Sequence, residues 1–139
     1  MVKDTLFSHK SDEWETPQWL FDLYNAIYHF DLDACATPQN AKCQKYYTKE
    51  DNGLECEWEG SVWCNPPYSE AAKWVEKAVE SVENEECETV VMLLPVRTDT
   101  KWFHDYICLH DVHIDFLKGR LRFNGSENNA PFPSMIVIF

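Results

Sequence analysis

The uninterrupted apolar run from Thr89 to Leu94, closed by Pro95, constrains this chain more than any other segment. A strand with one face in water alternates apolar and polar residues, so a run without alternation predicts a strand covered on both faces. A shorter run of the same kind, Ser61 to Cys64, also ends at prolines. Because helical patterns precede and separate these runs, the chain is predicted to be a compact α/β protein with a mostly parallel sheet flanked by helices.

Two longer helices are predicted from residue spacing. Thr16 suits a helix N-cap and Pro17 the first helical position, so a helix is expected over residues 17–28. Its apolar side chains at helical spacing are Trp19, Leu20, Leu23 and Ile27. A second helix is expected from Ser69 as N-cap to about Glu83, with Ala72, Val75, Val79 and Val82 facing inward.

The other segments complete a single domain. Further strands are predicted at 30–36, 112–117 and 135–139, a strand partner at 120–123, and a short helix around 102–107. Residues 37–57 are expected to be irregular. With 139 residues the chain has room for one core, so residues 13–139 are assigned to one domain and residues 1–12 to a flexible N-terminal arm.

Charge and hydropathy limit the classes of function. The chain has 12 Lys and Arg and 24 Asp and Glu, which gives a net charge of −12. On average this charge opposes binding to nucleic acid. The exception is the C-terminal part, where Lys118, Arg120 and Arg122 stand against Glu127 alone. No apolar run approaches the length of a membrane span, and the N-terminus lacks the apolar segment of a secretory signal. A cytoplasmic protein is expected.

The six cysteines predict neither a disulfide framework nor a metal centre. None form a C-x-x-C pair, and no export signal is visible. Four of them would suffice for a zinc site, but Cys35 and Cys64 lie in apolar, strand-like runs where cysteine acts as a small core residue.

The tetrapeptide Asn65-Pro66-Pro67-Tyr68 carries the strongest chemical signal, because it directly follows a predicted buried strand. Ligands of α/β sheets bind at the carboxyl ends of the strands. Two prolines remove two N–H donors and leave carbonyl acceptors, Asn65 adds an amide oxygen, and Tyr68 adds an aromatic face. Such a site can accept both hydrogens of a ring-conjugated amine and localise its lone pair for attack on a methyl group.

These residues resemble those of a known family. Asn-Pro-Pro-Tyr after a strand is similar to the catalytic motif of S-adenosylmethionine-dependent amino-methyltransferases. Glu15-Thr16-Pro17 resembles the N-terminal cofactor motif of DNA adenine methyltransferases, and Leu32-Asp33-Ala34-Cys35-Ala36 resembles their acidic, small-residue loop. The order of motifs is that of the gamma-type enzymes. Over residues 12–139 the chain resembles the small phage and prophage DNA N6-adenine methyltransferases, which implies their Rossmann-like fold.

The resemblance also implies roles for single residues. S-adenosylmethionine would contact Thr16, Pro17, Asp33, Ala34, Ala36, Asp51 and Asn65, with Asp33 at its amino group and Asp51 at its adenine. Asn65 and the carbonyl of Pro66, in the motif completed by Pro67 and Tyr68, would hold the target N6 of a flipped adenine. Tyr68 and Phe132 would stack on the two sides of that base.

The chain departs from the family pattern in two places. The segment between the acidic loop and Asp51 is shortened to residues 37–50. The residue that binds the ribose hydroxyls of the cofactor is therefore left open, with Asn40 and Glu50 as candidates. No separate target-recognition domain follows the core, so a short recognition site is expected, read by loops or with the help of a homodimer.

Double-stranded DNA is the expected partner, and Arg97, Lys101, Arg120 and Arg122 are the candidate phosphate contacts. Pairing of these cations with Asp99 or Asp115 is the structural alternative. Two other functions stay open at this point. The same chemistry could act on RNA or on a protein glutamine, or the chain could be a non-catalytic module that mimics DNA or binds the cofactor.

Overall fold

The protein is described here by a computed structural model, which covers residues 14–139. The arm predicted at residues 1–12 lies outside the described residues. The elements in chain order are α1 (Gln18–Tyr28), β1 (Leu32–Asp33), β2 (Lys45–Tyr46), β3 (Ser61–Cys64), α2 (Ala71–Glu83), β4 (Thr89–Pro95), a π-helix (Phe103–Cys108), β5 (His113–Phe116) and β6 (Ser134–Ile138). Single 3-10 turns lie at Gly53–Glu55 and Tyr68–Glu70.

The strands form one six-stranded sheet in the order β2-β1-β3-β4-β6-β5. The first four strands of that order pair in parallel, whereas β6 runs antiparallel to both β4 and β5. The predicted α/β class with a mostly parallel sheet flanked by helices is therefore confirmed, and the architecture is compatible with a Rossmann-like methyltransferase fold.

Strand β4 lies in the middle of the core, as its sequence predicts. Val90, Met92 and Leu94 face a cluster on one side of the sheet, together with Trp74 and Val75 of α2 and Phe103 of the π-helix. Val91 and Leu93 face the other side, which α1 covers. Because β4 is buried on both faces, it has no polar face to alternate with, and this explains its continuous apolar run.

Helix α1 begins and ends close to the predicted positions but presents a different face to the sheet. Leu20, Phe21 and Tyr24 are buried. Of the four apolar residues at helical spacing only Leu20 is among them, whereas Trp19, Leu23 and Ile27 are 59%, 55% and 65% exposed, so the spacing does not mark the buried face. Aromatic side chains at positions 21 and 24 pack against the sheet instead, Phe21 against Trp63 with ring centroids 5.5 Å apart.

Several other details differ from the predictions. Helix α2 starts at Ala71 after a 3-10 turn, so that Glu70 and not Ser69 is at the N-cap position, and Ala72 is exposed while Val75 and Val79 are buried. Residues 120–123 form no strand, because β6 is the strand that pairs with β5. Strand β2 lies within the segment expected to be irregular. Within residues 14–139, every helix is too short or too polar to cross a bilayer.

Candidate active site

The candidate site forms where the parallel strands end. Asp33 is the last residue of β1, and Asn65 directly follows β3. The two strands are in register, with Asp33 opposite Trp63, and the N–H of Ala34 donates to the carbonyl oxygen of Trp63 at 2.9 Å. The sheet therefore brings the acidic loop and the Asn-Pro-Pro-Tyr segment side by side at one edge.

A cavity of about 840 Å³ opens at this edge. Its volume lies within the range of roughly 300–1,000 Å³ that is common for small-molecule sites. Five predicted cofactor residues line it, namely Thr16, Asp33, Ala34, Ala36 and Asn65. Pro17 and Asp51 are outside its lining. Most of the predicted cofactor residues thus meet at one cavity, although they come from three separate segments of the chain.

The side chain of Asn65 is held by the segment that precedes α1. Its amide nitrogen Nδ2 donates to Oγ1 of Thr16 at 3.0 Å and also to the carbonyl oxygen of Trp14. Its oxygen Oδ1 is buried and has no hydrogen-bond partner within the described part of the chain. A buried carbonyl-type oxygen without a donor is costly unless a ligand supplies one. The atom is therefore an unpaired acceptor on a residue that lines the cavity.

Asp33 is a buried carboxylate held by backbone donors. Oδ2 accepts from the N–H of Lys42 at 3.0 Å, and Oδ1 accepts from the N–H of Cys35 at 3.4 Å. Burial raises the pKa of Asp33 to about 6, and the two backbone hydrogen bonds limit the rise. The carboxyl group is therefore ionised at neutral pH and can accept from a ligand ammonium. Burial and the nearby Asp33 raise the pKa of the Cys35 thiol to about 12, so that Cys35 is neutral.

Gly53 and Trp74 form another part of the cavity lining. A Cβ atom at Gly53 would lie 2.4 Å from the carbonyl oxygen of Ala34 and 3.0 Å from Cη2 of the Trp74 ring. Nε1 of Trp74 is buried and unpartnered among residues 14–139. This part of the lining combines a flat aromatic wall with a close backbone approach, which is suited to a planar heterocycle.

The carboxylate of Asp51 stabilises a local turn. Its Oδ2 accepts from the N–H of Thr48 at 2.9 Å and from the Thr48 hydroxyl at 3.0 Å. The neighbouring residues Asn52, Gly53 and Leu54 line the cavity. A cofactor contact of Asp51 stays a prediction, and it would require this turn to open.

Tyr68 belongs to an aromatic cluster on the α1 side of the sheet. The rings of Tyr68 and Phe132 meet edge to face, 5.6 Å apart, and Trp14 lies 5.2 Å from both Phe132 and Phe123. The Tyr68 hydroxyl is buried, and burial raises its pKa well above the usual range, so the phenol stays neutral. Tyr68 and Phe132 are brought together, but their rings touch, so a base can enter between them only if they separate.

The four candidate phosphate contacts differ in their surroundings. Arg97 is exposed just beyond β4, near Tyr68, and the adjacent N–H of Val96 donates to the carbonyl oxygen of Pro133 at 2.9 Å. Arg120 and Arg122 are exposed on either side of buried Leu121. The ammonium of Lys101 contacts the carboxylate of Asp105. The three arginines are therefore exposed next to residues of the aromatic cluster, Arg122 with its Nε donating to the carbonyl oxygen of Ser126 at 3.0 Å, while Lys101 is engaged with its helical neighbour.

Sequence reasoning missed three contributors to the cavity. Lys42 lies in its lining, and its Nζ donates to Oε1 of Gln18 at 2.8 Å. Trp74 and Gly53 are also in the lining. A lysine in a polar loop and a tryptophan at helical spacing carry no distinctive signal. The turn sequence Asp51-Asn52-Gly53 could have pointed to a close approach of the backbone at Gly53.

A second, more open cavity of about 620 Å³ lies at the opposite end of the sheet, before β3 and β4. Gly60, Val82 and the acidic turn at residues 85–88 line it. Amino ends of parallel strands are not where α/β proteins place their chemistry, so the site at the carboxyl ends is the candidate active site.

Comparison with known proteins shows which family the chain resembles. Residues 3–139 match the sequence model of the family described as DNA N-6-adenine-methyltransferase (Dam). A DNA N-6-adenine-methyltransferase of Haemophilus phage HP1 is 34% identical over 150 aligned positions, which cover 100% of this chain and 84% of the relative. A DNA N-6-adenine-methyltransferase of Escherichia phage T1 is 39% identical over 95 positions, 66% of this chain and 39% of the relative.

Proposed function

This chain belongs to the DNA N-6-adenine-methyltransferase (Dam) family, and on that basis we propose that it transfers a methyl group from S-adenosylmethionine to the exocyclic N6 of adenine in DNA. The observation that carries the mechanism is the free, buried Oδ1 of Asn65 beside the cavity that contains Asp33. An acceptor without a donor next to a ligand-sized cavity is the arrangement that an amino-methyltransferase needs.

The cavity fits the chemistry of the proposed cofactor. The carboxylate of Asp33 would accept from the ammonium of its methionine part. Lys42 is in the same lining, and its Nζ, which donates to Gln18, would have to turn to attract the cofactor carboxylate. Ala34 and Ala36 leave room for close approach. Trp74 and Gly53 provide a flat wall for its adenine. When bound, S-adenosylmethionine supplies an electrophilic methyl group on a sulfonium.

The Asn-Pro-Pro-Tyr segment prepares the target amine. Oδ1 of Asn65 and the carbonyl oxygen of Pro66 accept its two hydrogens, which draws the lone pair out of conjugation with the ring. The carbonyl of Pro67 is used within the protein, since it accepts from the N–H of Glu70 at 3.0 Å. When the bond between N6 and the methyl group forms, the bond between that methyl group and the sulfonium sulfur would break, leaving a neutral thioether. The amine also loses one proton, and because neither an amide nor the neutral phenol of Tyr68 is a base, this proton leaves to water.

The target adenine is proposed to leave the double helix and stack on Tyr68, with Phe132 on its other side. Extrusion costs a few kcal/mol, and stacking on aromatic rings offsets it. Because the two rings are now in edge contact, their separation is part of base entry. Arg97, Arg120 and Arg122 surround this cluster and are proposed to neutralise phosphates, which reconciles DNA binding with a net charge of −12.

A homodimer in the host cytoplasm completes the proposal. The exposed stripe of Trp19, Leu23 and Ile27 supports self-association, because α1 carries a single charged residue, Asp22. For a strongly acidic chain, this is a face where two copies meet with little repulsion. Sedimentation of the wild type and of Leu23→Glu tests it: the wild type is expected as a dimer and the variant as a monomer.

One assay tests the reaction itself. Purified protein is incubated with methyl-labelled S-adenosylmethionine and, in parallel, with duplex DNA, RNA and protein. Label on N6 of adenine in DNA is expected, and Asn65→Ala should abolish most of it. Label on RNA or on glutamine would move the same chemistry to another substrate, and absence of label on every substrate would favour a non-catalytic module.

A further inference from the structure

The amide of Asn65 can present either of two chemically opposite ends to the target base. Its oxygen accepts a hydrogen bond, whereas its NH2 group donates. Only the oxygen is useful toward the N6 amine, since two NH2 groups facing each other are mutually repulsive. The activity proposed above therefore depends on which way this amide is turned.

Two partners fix that orientation. The carbonyl oxygen of Trp14 can only accept, so the atom of Asn65 that contacts it must be Nδ2. The same nitrogen donates to Oγ1 of Thr16 at 3.0 Å. The opposite rotation would place Oδ1 against the Trp14 carbonyl and direct NH2 toward the substrate.

The partners themselves are rigidly held. The Trp14 ring packs 5.2 Å from Phe123 and 5.2 Å from Phe132. The carbonyl of the next residue, Glu15, accepts from the N–H of Asn124 at 3.0 Å. Thr16 is only 5% exposed. Residues 14–16 thus provide fixed hydrogen-bond acceptors that orient the Asn65 amide.

We propose that Thr16, together with the backbone carbonyl of Trp14, is a positioning element that turns Oδ1 of Asn65 toward the target amine. This rests on the proposed function. It assigns the Thr16 hydroxyl to the methyl-accepting side of the site, although the residue also lines the cofactor cavity. The Thr16 side chain acts on the rate through Asn65 and makes no required contact with the cofactor.

Nuclear magnetic resonance reads this orientation without any substrate. The side-chain amide of Asn65 is assigned by its disappearance in Asn65→Ala. In the wild type its two protons are expected to be shifted from solvent-exposed values and to exchange slowly. In Thr16→Val, which keeps the shape but loses the hydroxyl, one proton is expected to exchange at least tenfold faster, and Thr16→Ser should restore protection.

Kinetics then separate positioning from cofactor binding. Loss of one hydrogen bond that orients a neutral group predicts a three- to tenfold lower kcat for Thr16→Val, about the effect of one net hydrogen bond. The KM for S-adenosylmethionine is expected to stay within twofold. In the Asn65→Ala background the same change should have no further effect on kcat, because Thr16 acts only through Asn65.

The outcomes distinguish the two levels of the proposal. A Thr16→Val protein that raises the KM for the cofactor at constant kcat, or that lowers kcat equally with and without Asn65, would overturn the positioning role. A wild-type protein that protects the Asn65 amide but methylates no DNA would overturn the proposed function and leave the orientation established. Equal thermal unfolding of wild type and Thr16→Ser checks that rescue reflects the hydroxyl and not refolding.

Discussion

The backbone N–H of Lys42 donates a hydrogen bond to the carboxylate of Asp33, with 3.0 Å between N and Oδ2. This bond closes the loop that follows β1 around the acidic side chain. It leaves the Lys42 side chain free to point elsewhere, and its Nζ reaches Gln18 at the start of α1. The carboxylate is therefore stabilised by backbone dipoles, while its own burial disfavours the charge.

This balance predicts that cofactor affinity depends on pH. Burial raises the pKa of Asp33 to about 6, and binding of an ammonium requires the ionised form. Affinity for S-adenosylmethionine, measured by titration calorimetry, is expected to be constant above pH 7 and to fall about tenfold per unit well below pH 6. Asp33→Asn should bind weakly at every pH. An unchanged affinity at pH 5 in the wild type would exclude this role for Asp33.

The same pKa predicts the opposite trend for the stability of the ligand-free protein. The folded state binds the Asp33 proton more tightly than the unfolded state, whose pKa is near 3.8. The contribution of Asp33 to the free energy of unfolding is therefore largest below that value and is lost as the pH rises through about 6. Thermal unfolding of Asp33→Asn against wild type between pH 4 and pH 7 measures this difference. A gap that widened toward low pH would contradict it.

Asn65→Ala is expected to lower the rate of methyl transfer about a hundredfold, because it removes an acceptor aimed at the reacting amine. Its affinity for S-adenosylmethionine should change little, since Nδ2 faces Trp14 and Thr16. Single-turnover kinetics measure the rate. Asn84→Ala, at the end of α2 and far from the cavity, is the matched control. Similar rates for both variants would remove Asn65 from the mechanism.

Gly53→Ala is expected to unfold more easily and to bind the cofactor poorly. The added methyl group would lie 2.4 Å from the backbone oxygen of Ala34, which cannot move without shifting β1. A loss of about 1–3 kcal/mol in the free energy of unfolding follows from overpacking. Gly119→Ala has open space around it but a φ of +73°, so it should lose about 1 kcal/mol and keep its cofactor affinity. Denaturant titration with calorimetry compares the two.

Tyr68→Phe is expected to raise the melting temperature. The Tyr68 hydroxyl is buried and lacks a hydrogen-bond partner in residues 14–139, so its removal relieves a desolvation penalty of about 1–3 kcal/mol. Differential scanning calorimetry measures the change, with Tyr24→Phe as the control. The Tyr24 hydroxyl donates to Asp115 at 2.7 Å, and its loss should lower the melting temperature. Destabilisation by Tyr68→Phe would reveal a partner for this hydroxyl.

The arginines are expected to act through charge. Arg97→Gln and Arg120→Gln should each weaken DNA binding at all sequences and reduce the slope of log K against log salt by about 0.9. Lys45→Gln, on edge strand β2 and paired with Glu59 at 3.8 Å, should leave the slope unchanged. Binding measured at several salt concentrations checks this, and equal slopes in all variants would place the DNA elsewhere.

The buried strands were predictable because their apolar composition is visible in the sequence. β3 and β4 are continuous apolar runs, and such runs have few alternatives in an α/β sheet. The short strand β2 was not predictable, since Lys45 and Tyr46 are half-exposed or exposed edge residues with no period to detect. Residue spacing alone also could not predict which face of α1 is buried, because Trp19 and Phe21 are both apolar and packing against the sheet decides which of them is covered.

The position of the site was predictable from the two motifs that stand at strand ends. Asp33 and Asn65 meet at the cavity because both follow parallel neighbours. Thr16 was expected to cap α1, yet the helix starts without a side-chain cap and its hydroxyl contacts Asn65 across 49 positions of sequence. Contacts of this range depend on how helix and sheet are packed, which local sequence does not encode.

The paired backbone is least extensive where the cavity lies. β1 and β2 contribute two residues each, whereas β4 contributes seven. Amide protons near Asp33 should therefore exchange with solvent through local unfolding, while those of β4 should exchange only through global unfolding. A ligand that binds beside these short strands increases the free energy of unfolding of the protein through its own binding free energy. The methyl donor would then regulate the lifetime of the protein as well as feed its reaction, and a starved cell would keep less of it.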